Sequence, residues 1–377
     1  MIRYLDKEEA GACMPLWREA FPEDSGEFLE YYFGRKVKES RILVKEDGEG
    51  RILTMVHLNP YDVMVRGQAH RLSYIVGVAT AARSRHQGHM RDVLVKMLRD
   101  MHEAGDPFCY LMPASPDIYR PFGFTYVFDQ PAWRLAGEER RPETAGAERL
   151  ELRLDAKAGT SVLDQEYLAG WMNRWLEERF QVYARRDAAY LELLQAELDS
   201  EKGRVYGWMD SRGNLAALQA YWGIERREQR FLYCGREDWL CPAVPEHPAR
   251  PAIMARIADV RAFMGMITVH EDCPCPAMEV PIRIHDALIG ENDGLWTWRS
   301  GRDGSELVSV LSGLPAEQTG DGDVLISTEV LDITIDRLMA WLSGYSPLES
   351  VLEGGVQPPF WQRYIKPLEG IFLDEIV

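Results

Sequence analysis

Nine residues, Arg83-Ser84-Arg85-His86-Gln87-Gly88-His89-Met90-Arg91, carry the most suggestive chemistry in this sequence. Three arginines and two histidines surround one glycine, in a chain whose formal net charge is −17. A glycine at the mouth of a helix lets an anion come close to backbone amides that have no intrahelical partner, and the helix dipole adds to the attraction. The contrast between this basic turn and the acidic whole favours a local phosphate site. The competing reading is an ordinary charged turn in solvent. The glycine spacing is neither GxGxxG nor the GxxxxGK run of a P-loop, so neither nucleotide fingerprint is present.

Such a turn works only if a strand and a helix hold it. Leu72 to Thr80 is mostly apolar and β-branched, without proline or charge, the pattern of a buried strand. Met90, Val93, Leu94, Met97, Leu98 and Met101 recur at helical spacing, and Gly105 follows where a helix would stop. Upstream, Leu16, Trp17, Ala20 and Phe21, then Phe28, Leu29, Tyr31, Tyr32 and Phe33, outline two short helices. The period then becomes two. Arg41 to Lys45 and Arg51 to Leu58 flank the turn Asp47-Gly48-Glu49-Gly50, and Tyr61 to Val65 leads through Arg66-Gly67-Gln68 into the central strand. Further strands are expected at Phe108 to Leu111, Phe124 to Phe128 and Ala132 to Leu135.

Arg85-His86-Gln87-Gly88-His89-Met90 resembles the pyrophosphate-binding R-x-x-G-x-G/A signature of the GNAT acyltransferases, which lies between that family's central strand and main helix. Met90 stands where the signature has Gly or Ala, and its helical spacing lets it point into the core. The run from Leu111 to Phe124, Leu-Met-Pro-Ala-Ser-Pro-Asp-Ile-Tyr-Arg-Pro-Phe-Gly-Phe, resembles the Eis-like branch of that family. The resemblance implies acetyl-CoA as co-substrate, held by Val78, Ala79, Thr80, Arg85, His86, Gln87, Gly88, His89, Met90, Arg91, Ala114 and Ser115. It implies Tyr119 as general acid and the C-terminal carboxylate, here that of Val377, as base. Phe28, Tyr31 and Phe33 fall where the family's second helix meets the acceptor. Hexamers occur in the family, so a homo-oligomer is implied here.

Gly137 to Arg149 is charged, bears proline and glycine and is almost free of large apolar residues, the composition of a linker. Beyond it, Leu168, Trp171, Met172, Trp175 and Leu176, then Tyr190 to Leu198, predict amphipathic helices. Strands follow at Arg204 to Met209, Leu215 to Trp222 and Gln229 to Cys234. This order repeats the first unit without a phosphate turn, which suggests a second GNAT-like unit that binds no coenzyme. After the proline-rich Cys241 to Pro251, a helix is expected at Met254 to Met264. Strands are expected at Ala277 to Ile284 and Gly294 to Arg299, then a turn-rich polar run to Gly322 and a helix at Thr334 to Leu342. Residues Ala255 to Val260, Asp286 to Gly294 and Gly370 to Val377 resemble the sterol-carrier-like third domain of Eis-type proteins. The expected architecture is α/β (α+β), with tandem GNAT-like domains at 1–140 and 150–248 and a sterol-carrier-like α/β domain at 252–377.

Acetyl transfer from a thioester to an amine needs a neutral amine, a polarised carbonyl and a proton for the departing thiolate. Backbone N–H groups near Val78 and Ala79 could serve the carbonyl. A phenol of pKa about 10 can protonate a thiolate whose acid has a pKa of about 8.5. A C-terminal carboxylate with a pKa of about 3.5 is mismatched with an ammonium of about 10, at about 1.4 kcal/mol for each unit. Burial could raise it, or it could mainly align a cation; Asp374 and Glu375 are further carboxylates for the role.

The net charge, with a pI near 5.0, argues against nucleic acid and anionic membranes and is compatible with cationic substrates. Six scattered cysteines do not form a secreted disulfide framework, and neither Cys273-Pro274-Cys275 nor the histidines show metal spacing, so no metal is expected. No signal peptide or membrane span is drawn, and a cytoplasmic location is expected. The sequence therefore points to an acetyl-CoA-dependent N-acetyltransferase acting by direct transfer in a ternary complex. Its acceptor is expected to be a primary amine of a cationic small molecule, aminoglycoside- or polyamine-like, or lysine. A non-catalytic acyl-CoA or lipid-binding protein is the alternative.

Overall fold

The computed structural model describes residues 1–136, 147–157, 159, 163–243, 249–309, 324–352, 354 and 356–375. The first unit contains strands β1 (Ile2–Tyr4), β2 (Arg41–Glu46), β3 (Ile52–Val65), β4 (Gln68–Thr80), β5 (Phe108–Leu111) and β6 (Thr125–Pro131). Its helices are α1 (Met14–Ala20), α2 (Gly26–Gly34), α3 (His89–Glu103) and the short α4 (Pro116–Tyr119). β1 to β4 form an antiparallel meander, and β4 meets β5 in parallel. β3 is one strand of 14 residues where the sequence suggests two. The ladder runs straight through Pro60, which sits opposite Ser73. Arg66 and Gly67, with φ of 49° and 78°, make the tight turn between β3 and β4, as a two-residue hairpin loop requires.

α3 follows the predicted spacing. Val93, Leu94, Met97, Leu98 and Met101 are its buried stripe, and they pack with Leu43, Val56, Leu58 and Ile75 of the sheet. α1 and α2 cover the opposite face of the sheet through Trp17, Phe28, Leu29 and Tyr32, packed with Ile42, Val44 and Met55.

The second unit begins after β7 (Trp133–Leu135) with β8 (Glu148–Leu152), α5 (Gln165–Glu177), β9 (Val182–Ala184), α6 (Ala188–Ser200), β10 (Arg204–Met209), β11 (Leu215–Trp222) and β12 (Glu228–Cys234). Most of the expected linker, residues 137–146, lies outside the described residues; its last two residues open β8. Asp164 and Asp187 cap α5 and α6 by accepting from the backbone N–H of Tyr167 and Tyr190. β12, β11, β10 and β8 form an antiparallel sheet of their own, while β9 leaves it to pair with the end of β3.

The remaining elements are β13 (Leu240–Pro242), β14 (Ala249–Ile257), α7 (Val260–Gly265), β15 (Thr268–Val269), β16 (Ala277–His285), β17 (Gly294–Gly301), β18 (Ser305–Ser309), β19 (Val324–Ile326), β20 (Leu331–Thr334), α8 (Ile335–Leu342), α9 (Leu348–Val351), β21 (Ile365–Lys366) and β22 (Ile371–Phe372). β16 to β20 make a five-stranded sheet. The expected helix at Met254 to Met264 is corrected: its first four residues belong to β14, and the helix runs only from Val260 to Gly265. Residues 252–257 are all buried, so no alternation betrays the strand. What makes it a strand is its place between β5 and β6, antiparallel to both.

No helix among the described residues is long and apolar enough to cross a membrane.

Candidate active site

β4 and β5 touch at a single pair, Tyr74 opposite Tyr110. Beyond it Val76 to Thr80 diverges, leaving one edge of β4 without a strand partner. The other edge carries a bulge: Met55 pairs with Ala79 and His57 with Val76, so Gly77 and Val78 together face Val56. Such a bulge leaves an extra residue unpaired and bends the strand. Gly77 has φ 60°, and a Cβ there would lie 2.5 Å from the Trp17 ring. The bend therefore depends on this glycine and on the α1 indole that fills its place. Thr54 anchors the far end, its hydroxyl donating to the Ala79 carbonyl at 2.6 Å and lying 2.7 Å from the Thr80 hydroxyl.

The basic turn closes this opening. Gly88 is left-handed (φ 80°), with nothing within 4 Å of an added Cβ, and caps α3 without any side-chain contribution. The first amides of α3 follow directly. Arg85 and Gln87 brace the turn, donating to the carbonyls of Thr80 (3.2 Å) and Arg83 (3.3 Å). Arg85, His86, Gln87 and Arg91 are exposed, and His89 Nδ1 is buried without a partner among the described residues. Met90 packs against the α3 cluster as its spacing predicts. The turn thus offers open backbone amides, an unpaired imidazole nitrogen and flanking arginines, a donor set suited to the phosphates of a coenzyme.

Tyr119 ends α4, just after β5. It packs edge-on against Phe124 and shares an apolar cluster with Val78 and Met90. Burial pushes its phenol up to about 12. Its hydroxyl makes no hydrogen bond to another described residue. Ser115 caps α4 by position without a side-chain hydrogen bond, and Ala114 is exposed beside it.

The face of the sheet opposite α3 is unexpectedly ionic. Between α2, β3, α6 and β12 lies a cavity of about 220 Å³ whose wall includes Tyr31, Lys36, Tyr61, Tyr190, Glu197 and Arg230. Tyr61 stands 6.3 Å from Tyr74, and Tyr74 5.4 Å from Tyr110, so aromatic rings lead from the cavity to the point where β4 and β5 part. Of the three aromatic residues expected at the acceptor, Tyr31 lines this cavity. Phe28 and Phe33 pack instead into the aromatic cluster around Trp17 and Tyr32.

The chain's last described residues reach the same face. β22 runs parallel to β9, and Phe372 is packed among Phe128, Trp175, Phe180 and Tyr233. Asp374 and Glu375 then meet Arg186: Nη2 pairs with Asp374, and Nη1 donates to Glu375 at 2.7 Å. The Asp374 carboxylate also accepts from the Tyr233 hydroxyl at 2.8 Å, and its carbonyl accepts from Arg230 at 3.0 Å. Glu375 lies 3.5 Å from the Tyr110 hydroxyl, beside the apex of the opening. Val377 lies outside the described residues. Sequence reasoning missed Lys36, Arg186, Glu197 and Arg230 because nothing local marks a charged residue as buried.

Residues 1–127 match the family described as acetyltransferase (GNAT) domain. That match places a GNAT acetyltransferase domain in the first third of the chain. No curated protein sequence matches the chain. Among solved structures, a GCN5-related N-acetyltransferase from Anabaena variabilis is 16% identical with a TM-score of 0.73, covering 99% of both chains. A conserved protein from Enterococcus faecalis described as a probable N-acyltransferase is 15% identical with a TM-score of 0.70, over 97% of this chain and 93% of that one. Eis1 from Mycobacterium abscessus is 14% identical with a TM-score of 0.64, over 100% of this chain and 99% of its own. These likenesses establish a shared fold along the whole chain.

Proposed function

We propose that this protein moves an acetyl group from acetyl-CoA to a primary amine of a small molecule or of lysine, directly within a ternary complex. The observation that carries the reading is the β4–β5 opening, with the exposed amides at the head of α3 at its mouth and Tyr119 in the same cluster as its bulged strand. Acetyl-CoA, when bound, supplies a thioester whose C–S bond breaks as the amine forms its N–C bond. Gly88, His89, Met90 and Arg91 hold phosphates through main-chain N–H groups, with Arg85, His86 and Gln87 around them. Thr80, Ala114 and Ser115 bound the coenzyme channel. A backbone N–H of the bulged Val78–Ala79 stretch serves the thioester carbonyl, where donors aimed at a developing oxyanion lower the barrier most.

Tyr119 holds its proton throughout the working pH range and donates it toward the departing sulfur. From a phenol at about 12 to a thiolate whose acid is near 8.5, full transfer is uphill by roughly 5 kcal/mol, so a hydrogen bond to sulfur precedes it. Asp374 and Glu375, held by Arg186, fix the tail that leads toward Val377, whose carboxylate aligns the acceptor or takes its proton.

Division into units at 1–140, 150–248 and 252–377, a sterol-carrier-like third unit, a homo-oligomer up to a hexamer and a cytoplasmic location complete this reading. They rest on the resemblance to Eis-type proteins. The cavity does not carry the surplus of unpaired carboxylate that a polycation would favour, which shifts weight toward lysine-like amines.

The test is thiol release from acetyl-CoA over a panel of polyamines, aminoglycosides and lysine, with the native protein, Tyr119→Phe and a form extended by one residue past Val377. Turnover that collapses in both altered forms while acetyl-CoA still binds supports both roles. Turnover unaffected by the extension removes the Val377 carboxylate. Acetyl-CoA binding without turnover on any amine overturns the reading.

A further inference from the structure

The cavity between α2, β3, α6 and β12 has a specific charge pattern. Its carboxylates face cations: Glu39 and Asp62 lie 3.4 Å and 2.9 Å from Arg71, Asp187 lies 3.9 Å from Arg185, and one oxygen of Glu197 lies 2.9 Å from Arg230. Lys36 is different. Only 6% exposed, it donates to the Tyr61 hydroxyl at 2.6 Å and stands 4.1 Å above that ring. No carboxylate of a described residue comes within ion-pairing distance of its ammonium. A buried cation in a cavity wall without an anionic partner is costly, and an anion entering the cavity would relieve it. Burial already draws the Lys36 pKa down to about 8, in keeping with that deficit.

Glu197 offers the complementary group. One of its oxygens is engaged by Arg230 Nε at 2.9 Å, while among the described residues the other receives only a long contact, 3.4 Å, from the Tyr31 hydroxyl. That second oxygen can accept from a ligand ammonium. One cation and one carboxylate on the same small cavity, with Tyr61 and Tyr74 leading to the apex of the β4–β5 opening, match a particular kind of acceptor. We propose that the cavity holds the α-amino and α-carboxylate groups of a free diamino acid. Lys36 takes the carboxylate, Glu197 takes the α-ammonium, and the distal amine extends past Tyr61 and Tyr74 to the transfer site. This rests on the acetyltransferase reading above and narrows its acceptor.

Three ligands separate the contributions: lysine, cadaverine, which lacks the carboxylate, and 6-aminohexanoate, which lacks the α-amine. Calorimetric binding to the full chain, without acetyl-CoA, is expected to rank lysine first, with each truncated ligand weaker by about tenfold or more. In Lys36→Met the ratio between lysine and cadaverine should fall close to one. With acetyl-CoA present, mass spectrometry of the product should locate the acetyl group on the distal nitrogen. Cadaverine binding as tightly as lysine, or a lysine-to-cadaverine ratio unchanged in Lys36→Met, overturns the proposal. O-phosphoethanolamine outcompeting lysine overturns the carboxylate assignment. The two readings fail separately. Ranked binding without turnover leaves the cavity assignment standing and removes acetyl transfer, whereas brisk transfer to amines regardless of carboxylate does the reverse. Should Lys36→Met not fold, the ligand comparison on the native protein still decides.

Discussion

The Arg186 guanidinium donates to the Glu375 carboxylate at 2.7 Å, and both side chains are fully withdrawn from solvent although 189 positions separate them. Burial raises the Glu375 pKa, and Arg186 works against that rise. For Arg186 itself burial acts downward, but Asp374 and the other anionic neighbours outweigh it and hold the guanidinium charged. This pair, with Asp374, fastens the chain's last described residues beside the apex where β4 and β5 separate.

Replacing Arg186 by Met should cost roughly 3–5 kcal/mol, because two buried carboxylates lose their partner. Denaturant unfolding of the native and R186M chains measures it. A loss below about 1 kcal/mol would mean that the acidic tail is not held by this pair.

Tyr119→Phe should lower kcat by about 100-fold or more while acetyl-CoA binding persists, since the phenol donates a proton and holds nothing else. Its pKa of about 12 places its ionisation above the working range. The variant should therefore lower the whole pH–rate profile without shifting any limb below about pH 10. A limb that disappears in Y119F would contradict this assignment.

Gly77→Ala must put a Cβ 2.5 Å from the Trp17 ring at φ 60°. The combined clash and backbone strain should cost roughly 2–5 kcal/mol and reduce turnover by straightening the bulge. In a Trp17→Leu background the clash is relieved, and the additional cost of G77A should shrink to about 1 kcal/mol of strain. Equal costs in the two backgrounds would show that the indole does not fix the bend.

Lys36 provides a prediction with a definite sign. Its folded pKa lies near 8, below the usual 10.5, so the unfolded chain binds more protons between those values and stability rises with pH across that window. Burial is the main cause; Glu197, Glu375 and Glu39 oppose it and Arg230 adds to it, with Tyr61 as the direct hydrogen-bond partner. Lys36→Met removes a desolvated cation, so below pH 8 it should stabilise the ligand-free protein by up to roughly 3 kcal/mol. The advantage should fade toward pH 10.5. Melting temperatures of both forms across that range decide, and an advantage that grows with pH would reverse the assignment.

His57 has the same dependence on acidity in a lower pH window. Burial holds it down to about 3 from 6.5, beside the Tyr32 hydroxyl at 3.1 Å. Stability present above pH 6.5 should therefore be lost as pH falls toward 3, by up to roughly 5 kcal/mol from this group. His57→Gln should flatten that acid dependence in denaturant titrations. An unchanged slope would assign acid unfolding to other groups.

What the sequence determined by itself was local. The stripe from Val93 to Met101 and the glycine at 88 set element type through periodicity and turn chemistry, which neighbouring residues alone decide. Even the expectation that Met90 packs inward followed from spacing. The bulge at Gly77 was invisible because its reason is the Trp17 ring, sixty positions away. β14 was read as a helix start because a strand buried on both faces shows no alternation, and only its slot between β5 and β6 tells the two apart. Lys36, Arg186 and Glu197 belonged to no pattern, Glu375 was named only as a further carboxylate for the base role, and tertiary packing alone made them an interior network. A sequence specifies which charges exist; which of them leave water, and beside what partner, is settled only when distant segments meet.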